Sequence, residues 1–214
     1  MKLGSLALVL LIAALQTGCV TGQRSFALAI PTQNNPPPTR GKVYIAAVTD
    51  DRVFENKPPE PSTPSIDGDV TSLSPQQKDR MIGRQRNGFG KAMGDIALPQ
   101  GQTVTERTRL LVEQSLARKG YQVITDANAP ISVNVSVKEF WAWSTPGFWA
   151  LTFEAKLSCE LTVKTATGVH TATIKGYGLN HGQVAKDANW EEAYEPAFED
   201  FISNFDSQWD NLVQ

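Results

Sequence analysis

The sequence predicts an α+β domain: a single antiparallel β-sheet with two main helices packed on one face, preceded by a proline-rich, lipidated tether. Three observations carry this prediction. Residues 131–137 and 151–163 alternate apolar and polar side chains without a break, the period-two pattern of strands buried on one face and wet on the other. Residues 103–119 and Asp187–Leu212 carry apolar side chains at helical spacing. Ahead of them, residues 31–40 hold four prolines, which supply no backbone donor and fix φ, so they read as an extended spacer.

The chain opens with a leader. Lys2 precedes an apolar run, Leu3 to Leu15, of about a dozen core residues, shorter than the roughly twenty a spanning helix needs. A positive start, a short apolar stretch and a small-residue end describe a secretory signal, residues 1–18. It closes on Leu15-Gln16-Thr17-Gly18-Cys19. Gly18-Cys19 is the junction of a bacterial lipoprotein box, although Gln16 stands where leucine is usual. Cys19 is the expected lipidation site. Each buried methylene contributes on the order of 0.8 kcal/mol, and two acyl chains hold firmly where one is marginal. The acylated protein is therefore expected to stay on its membrane. Val20, in place of an aspartate that commonly retains lipoproteins at the inner membrane, points to the outer one, on its periplasmic face.

Without the leader the chain carries 19 Lys and Arg (20 less Lys2) against 22 Asp and Glu, a net charge of about −3. A mildly acidic chain is a poor nucleic-acid binder, because such binding runs on phosphate neutralisation. With Cys19 acylated, Cys159 has no intrachain partner, and no disulfide framework is expected.

Residues 19–41 form the tether and 42–214 one domain. Residues 42–48 read as a buried strand. Residues 50–100 are a long loop excursion, open at the prolines of 58–64. Within it, 83–95 is rich in glycine and basic residues. A phosphate-binding loop fails on spacing, since Lys91 is followed by Ala92. The dinucleotide pattern fails because Gly88, Gly90 and Gly94 are one residue too widely spaced. The simpler reading is a loop with solvated arginines. In the first helix, Thr103 and Glu106 match a capping box. Val104, Thr108, Leu111, Val112, Ser115 and Leu116 form the buried face, and Gly120 suits the left-handed cap. Tyr121–Ile124 is a short strand, and a turn at 165–168 returns the chain into residues 169–177. In the last helix, Pro196 should kink the axis or start a second helix.

Catalytic and metal chemistry find little support. A two-residue loop at 166–167 pairs Cys159 with Ile174 and Val163 with His170. That leaves His170 about 13 Å along the strand from Cys159, too far for proton transfer. Cys159 reads as a small buried hydrophobe. His181 has no second metal ligand beside it. No catalytic residue, cofactor or metal is expected. Convergence of Asp51, Arg84, Arg86 and His181 in one cleft would instead speak for an enzyme acting on envelope polymers. The surface candidate is the aromatic stretch 140–149, where apolar residues occupy both parities. Either the excursion covers one side, or Trp141, Trp143, Phe148 and Trp149, with Arg84 and Arg86, form a contact surface.

Residues 43–48 with Asp51-Arg52, then Leu116-Ala117-Arg118-Lys119-Gly120-Tyr121-Gln122-Val123, residues 133–137 and residues 161–168 resemble the YajG family of lipoproteins, though 50–100 is longer than that family leads one to expect. The resemblance implies an envelope lipoprotein and no defined activity. The expected function is a non-enzymatic binding or adaptor protein, held to the membrane by acylated Cys19 and engaging an envelope protein. The alternative is an accessory lipoprotein of an envelope transport, secretion or flagellar assembly.

Overall fold

The computed structural model describes residues 22–32, 35–87, 91–147, 149–183 and 186–214. The leader and Cys19 lie outside the described residues, as do Gly88, Gly90 and Phe148. The elements run β1 (Arg24–Ser25), β2 (Gly41–Asp50), α1 (Pro75–Lys78), β3 (Met81–Arg86), β4 (Ala92–Ala97), α2 (Val104–Arg118), β5 (Tyr121–Ile124), β6 (Ile131–Pro146), β7 (Leu151–Lys164), β8 (Val169–Gly182) and α3 (Asp187–Leu212).

The sheet is mixed, which overturns the expectation of a single antiparallel sheet. Eight strands join in one sheet. β6, β7 and β8 are antiparallel neighbours. On the other edge of β6 the pairing is parallel. β2 lies along its first half, from Val43↔Ile131 to Asp50↔Val137, and β3 meets its second half at Arg84↔Trp143. β5 is parallel to β2, and β1 to β4. Alternation along a strand reports which face is wet and says nothing of the neighbour's direction. The parallel pairing of β2 with β5 follows from the crossover of residues 51–120, which carries the chain through a hairpin and α2 before β5 returns beside β2.

The segment assigned to the tether also joins the domain. Phe26 and Leu28 are buried in the main core, and Arg24 makes an ion pair with Asp187 at 2.6 Å. The glycine- and arginine-rich segment is a strand pair rather than a loop, with β3 antiparallel to β4.

Both long helices contribute to that core. The buried side of α2 is Val104, Thr108, Leu111, Val112, Ser115 and Leu116. Thr103 Oγ1 accepts the Glu106 N–H at 3.1 Å, and Gly120 closes the helix at φ 80°. α3 stays a single helical segment of 26 residues with Pro196 inside it, rather than two. It buries Trp190, Tyr194, Phe198, Phe201, Phe205 and Trp209 against β7 and β8. Tyr121 and Trp209 pack edge to face at 5.7 Å.

Salt links tie the helices at one end. Arg118 meets Asp206 at 2.6 Å, and Asp210 holds both Lys119 and Arg40 at 2.8 Å. The Lys119 hydrogen bond, then Arg40, holds the Asp210 carboxyl below its ordinary value of 3.8. A depressed folded-state pKa adds stability that is present above the unfolded value and is lost as the pH falls through the folded one. Asp210→Asn is therefore expected to cost up to about 1 kcal/mol near neutral pH, because half-exposed pairs are screened. The difference from the native protein should vanish below the folded pKa in pH-resolved urea unfolding. A cost unchanged at low pH would mean the loss is packing.

Candidate functional site

A β-bulge in β6 sets the local geometry. Val137 pairs with Cys159 and Glu139 with Ser158, so Lys138 is the extra residue. One inserted residue reverses the side-chain parity beyond it. Before the bulge Val133, Val135 and Val137 face the helical core; after it Phe140 and Ala142 do. Trp141 and Trp143 are thereby turned into a second cluster with Ile66, Met81 and Ala97, flanked by Phe54, Val70 and Leu73.

The excursion covers these tryptophans. Trp141 is fully buried and donates Nε1–H to the Pro61 carbonyl at 3.2 Å, with Phe54 edge-on at 5.9 Å. Trp143 is 8% exposed. Of the two readings left open for this stretch, Trp141 and Trp143 follow the covered one: they fasten the loop. Trp149 lies outside this cover at 83% exposure.

Arg84 and Arg86, on one side of β3, hold the same loop. Arg84 is 5% exposed, not solvated. It donates to the Ile66 carbonyl and to Asp67 at 3.3 Å, and pairs with Asp95 at 3.5 Å. The Asp67 N–H returns to Asp95 at 2.9 Å. Burial raises the Asp95 carboxyl despite that bond and Arg84. Arg86 donates one N–H to the Pro58 carbonyl at 3.0 Å. Burial, then the neighbouring Arg84 charge, lowers its pKa.

Between the hairpin and the loop lies a cavity of about 520 Å³, lined by Lys57, Pro58, Pro59, Ile66, Asp67, Gly68, Arg84, Arg86, Lys91 and Ala92. That size suits a small ligand. Sequence reasoning found the two arginines but missed Lys57, Pro58 and Lys91. The prolines marked this stretch as loop, but nothing local said where it lands.

The other candidates separate. Cys159 pairs with Ile174 and Val163 with His170, as the hairpin geometry predicts. Burial pushes the Cys159 thiol up to about 12, so it is no nucleophile near neutral pH. Asp51 bonds Thr49 at 2.9 Å and Ser136, beside the first half of β6. His181 sits opposite Thr152 on β8, three strands from β3 and about 14 Å away at ordinary strand spacing. Asp51, the two arginines and His181 therefore do not share a cleft. Among the described residues, no three His, Cys, Asp or Glu side chains cluster as metal ligands, and no helix is long and apolar enough to cross a membrane.

A family model described as "Uncharacterized lipoprotein" matches residues 89–203 of the 214. It is the family that the segment resemblance implied. No curated protein matches the sequence. Among solved structures, a Xanthomonas campestris protein of the DUF330 family is 12% identical, with 88% of this chain and 98% of that one covered and a TM-score of 0.49. A Helicobacter pylori protein described as a homolog of a neuraminyllactose-binding hemagglutinin is 12% identical, with 86% and 91% covered and a TM-score of 0.34.

Proposed function

The chain belongs to this family of uncharacterized lipoproteins, and from that premise we propose that it is a non-enzymatic binding protein of the cell envelope. In this reading it is anchored through acylated Cys19 to the outer membrane and engages an envelope component beside the β3–β4 hairpin. The observation that carries the reading is the composition of the cavity. It sets two arginines of β3 against lysine and proline of the facing loop, with Lys91 just ahead of β4, and its one lining carboxylate, Asp67, is tied to Arg84. Such a wall can hold a ligand. A hydrolase commonly adds a hydroxyl or thiol nucleophile with a histidine base, and among the described lining residues there is no Ser, Thr, Cys or His. Val20, following Cys19, supports the outer-membrane assignment.

The test is site-specific photocrosslinking in intact cells, with p-benzoylphenylalanine in place of Pro59, of Trp149 and, as a control, of Lys175 on the outward face of β8. Discrete adducts at 59 or 149 and none at 175 are expected. The identity of the captured species separates an adaptor from a subunit of a transport, secretion or flagellar assembly. Adducts equally abundant at all three positions would end the proposal. Fractionation of Cys19→Ala should show the protein released from the membrane; retention would remove the anchor.

A further inference from the structure

The charge in the cavity is unbalanced. Lys57, Arg84, Arg86 and Lys91 line it against the single carboxylate of Asp67. Arg84 is already matched by Asp67 and Asp95. Among the described residues, Arg86, Lys57 and Lys91 make no salt bridge within 4 Å; the Glu60 carboxylate acts on Arg86 only from farther off. The Arg86 guanidinium is half-buried, with one N–H on the Pro58 carbonyl and its Nε buried without a hydrogen-bond partner. A partly desolvated guanidinium is stabilised by a paired oxyanion, and its planar fork matches phosphate and carboxylate bidentately. The lysines would act as flexible point charges at the rim, and a concave wall between them concentrates the field. Pro58, Pro59 and Ile66 supply apolar surface for the rest of the ligand.

We propose that this cavity binds an oxyanion, a phosphate or carboxylate group carried on a molecule of sugar size, with Arg86 as the forked donor and Lys57 and Lys91 as supporting charges. The inference rests on the binding reading above and names its ligand class.

The test uses the full chain in non-ionic detergent. Glucose 6-phosphate, glucuronate, inorganic phosphate and uncharged glucose are titrated calorimetrically. At least one of the sugar anions should bind with a Kd of about 1 mM or tighter, and glucose should not bind. Arg86→Met should weaken binding at least tenfold. Lys91→Met, at an exposed position, should weaken it severalfold with the native melting temperature kept, and Lys175→Met should leave it unchanged. Displacement of glucose 6-phosphate by phosphatidylglycerol in mixed micelles with the detergent, but not by phosphatidylcholine in the same form, would identify a lipid headgroup as the source. No displacement by either would identify a soluble or polymer-borne oxyanion. Failure of every anion to bind, or native affinity in both Arg86→Met and Lys91→Met, overturns the inference. Photocrosslinks at position 59 without oxyanion binding would end this inference and leave the binding reading intact; oxyanion binding without crosslinks would support this inference and count against a macromolecular envelope partner at this site.

Discussion

Arg52→Met is expected to cost about 3–5 kcal/mol, the range for removing one partner of a buried ion pair. The Arg52 side chain has no exposed surface, and that of Asp50 is 12% exposed. Its guanidinium meets Asp50 through Nε and Nη2, both at 2.7 Å. It also donates to three backbone carbonyls: Met81 at 2.6 Å, Phe140 at 2.9 Å and Lys78 at 2.8 Å. These belong to the start of β3, the stretch of β6 just past the bulge, and α1. One side chain therefore joins the end of β2 to β6 and to β3, the strand that carries Arg84 and Arg86. Methionine fills much of the volume but leaves the Asp50 carboxylate and three carbonyls without that donor. Urea unfolding should show the loss, and Asp50→Asn/Arg52→Met should recover part of it, since removing both charges is cheaper than stranding one. A single variant within 1 kcal/mol of native stability would show the clamp to be dispensable.

Acid should partly relieve the same variant. Burial raises the Asp79 carboxyl above 3.8; the Asp50 charge adds to this and Arg52 opposes it. A raised folded-state pKa means that the folded protein binds the proton more tightly, so this group's penalty at neutral pH is relieved as the pH falls through that value. With Arg52 gone the penalty grows, and so should the relief.

The second large effect is expected at β8. Gly178 lies against α3 so closely that a Cβ there would overlap the Ala193 carbonyl and the Ala197 nitrogen, with Pro196 Cγ at 2.9 Å. Gly176 meets Ala197 and Phe201 in the same way. The obstacle is helix backbone, which cannot rotate away as a side chain would. Gly178→Val must push α3 off the strand and loosen the aromatic stripe beneath it. A cost of about 3 kcal/mol, the upper end of ordinary overpacking, is expected. Thr173→Val, on the exposed face of the same strand, should stay within about 0.5 kcal/mol. Equal thermal melting of the two variants would mean that α3 tolerates the displacement.

These residues mark the limit of what was legible beforehand. Arg52 entered the sequence reading only as half of a resemblance, and Gly176 and Gly178 were given no packing role. A charged residue after a strand and glycines within one look the same whether buried or exposed, because their roles depend on what arrives from residues 78–81, 140 or 193–201. The tryptophans were left between two readings for a related reason. Parity along 131–149 is readable only if the strand is regular, and the bulge at Lys138 is fixed by the pairing with β7, which no single strand encodes.

The sequence by itself determined the faces of α2 and α3, the register of the β7–β8 hairpin, the membership of an envelope lipoprotein family, and the loop character of the prolines. Each is a local or periodic property: 3.6-residue or two-residue spacing, a short turn, a run of matching segments. Only the tertiary structure decided that the sheet is mixed, that the excursion folds back over Trp141 and Trp143, and that Lys57, Arg86 and Lys91 face one cavity. Those outcomes depend on which distant strands become neighbours. That choice is set by burying the second apolar cluster and satisfying the buried arginines, energies that exist only once the chain has closed on itself.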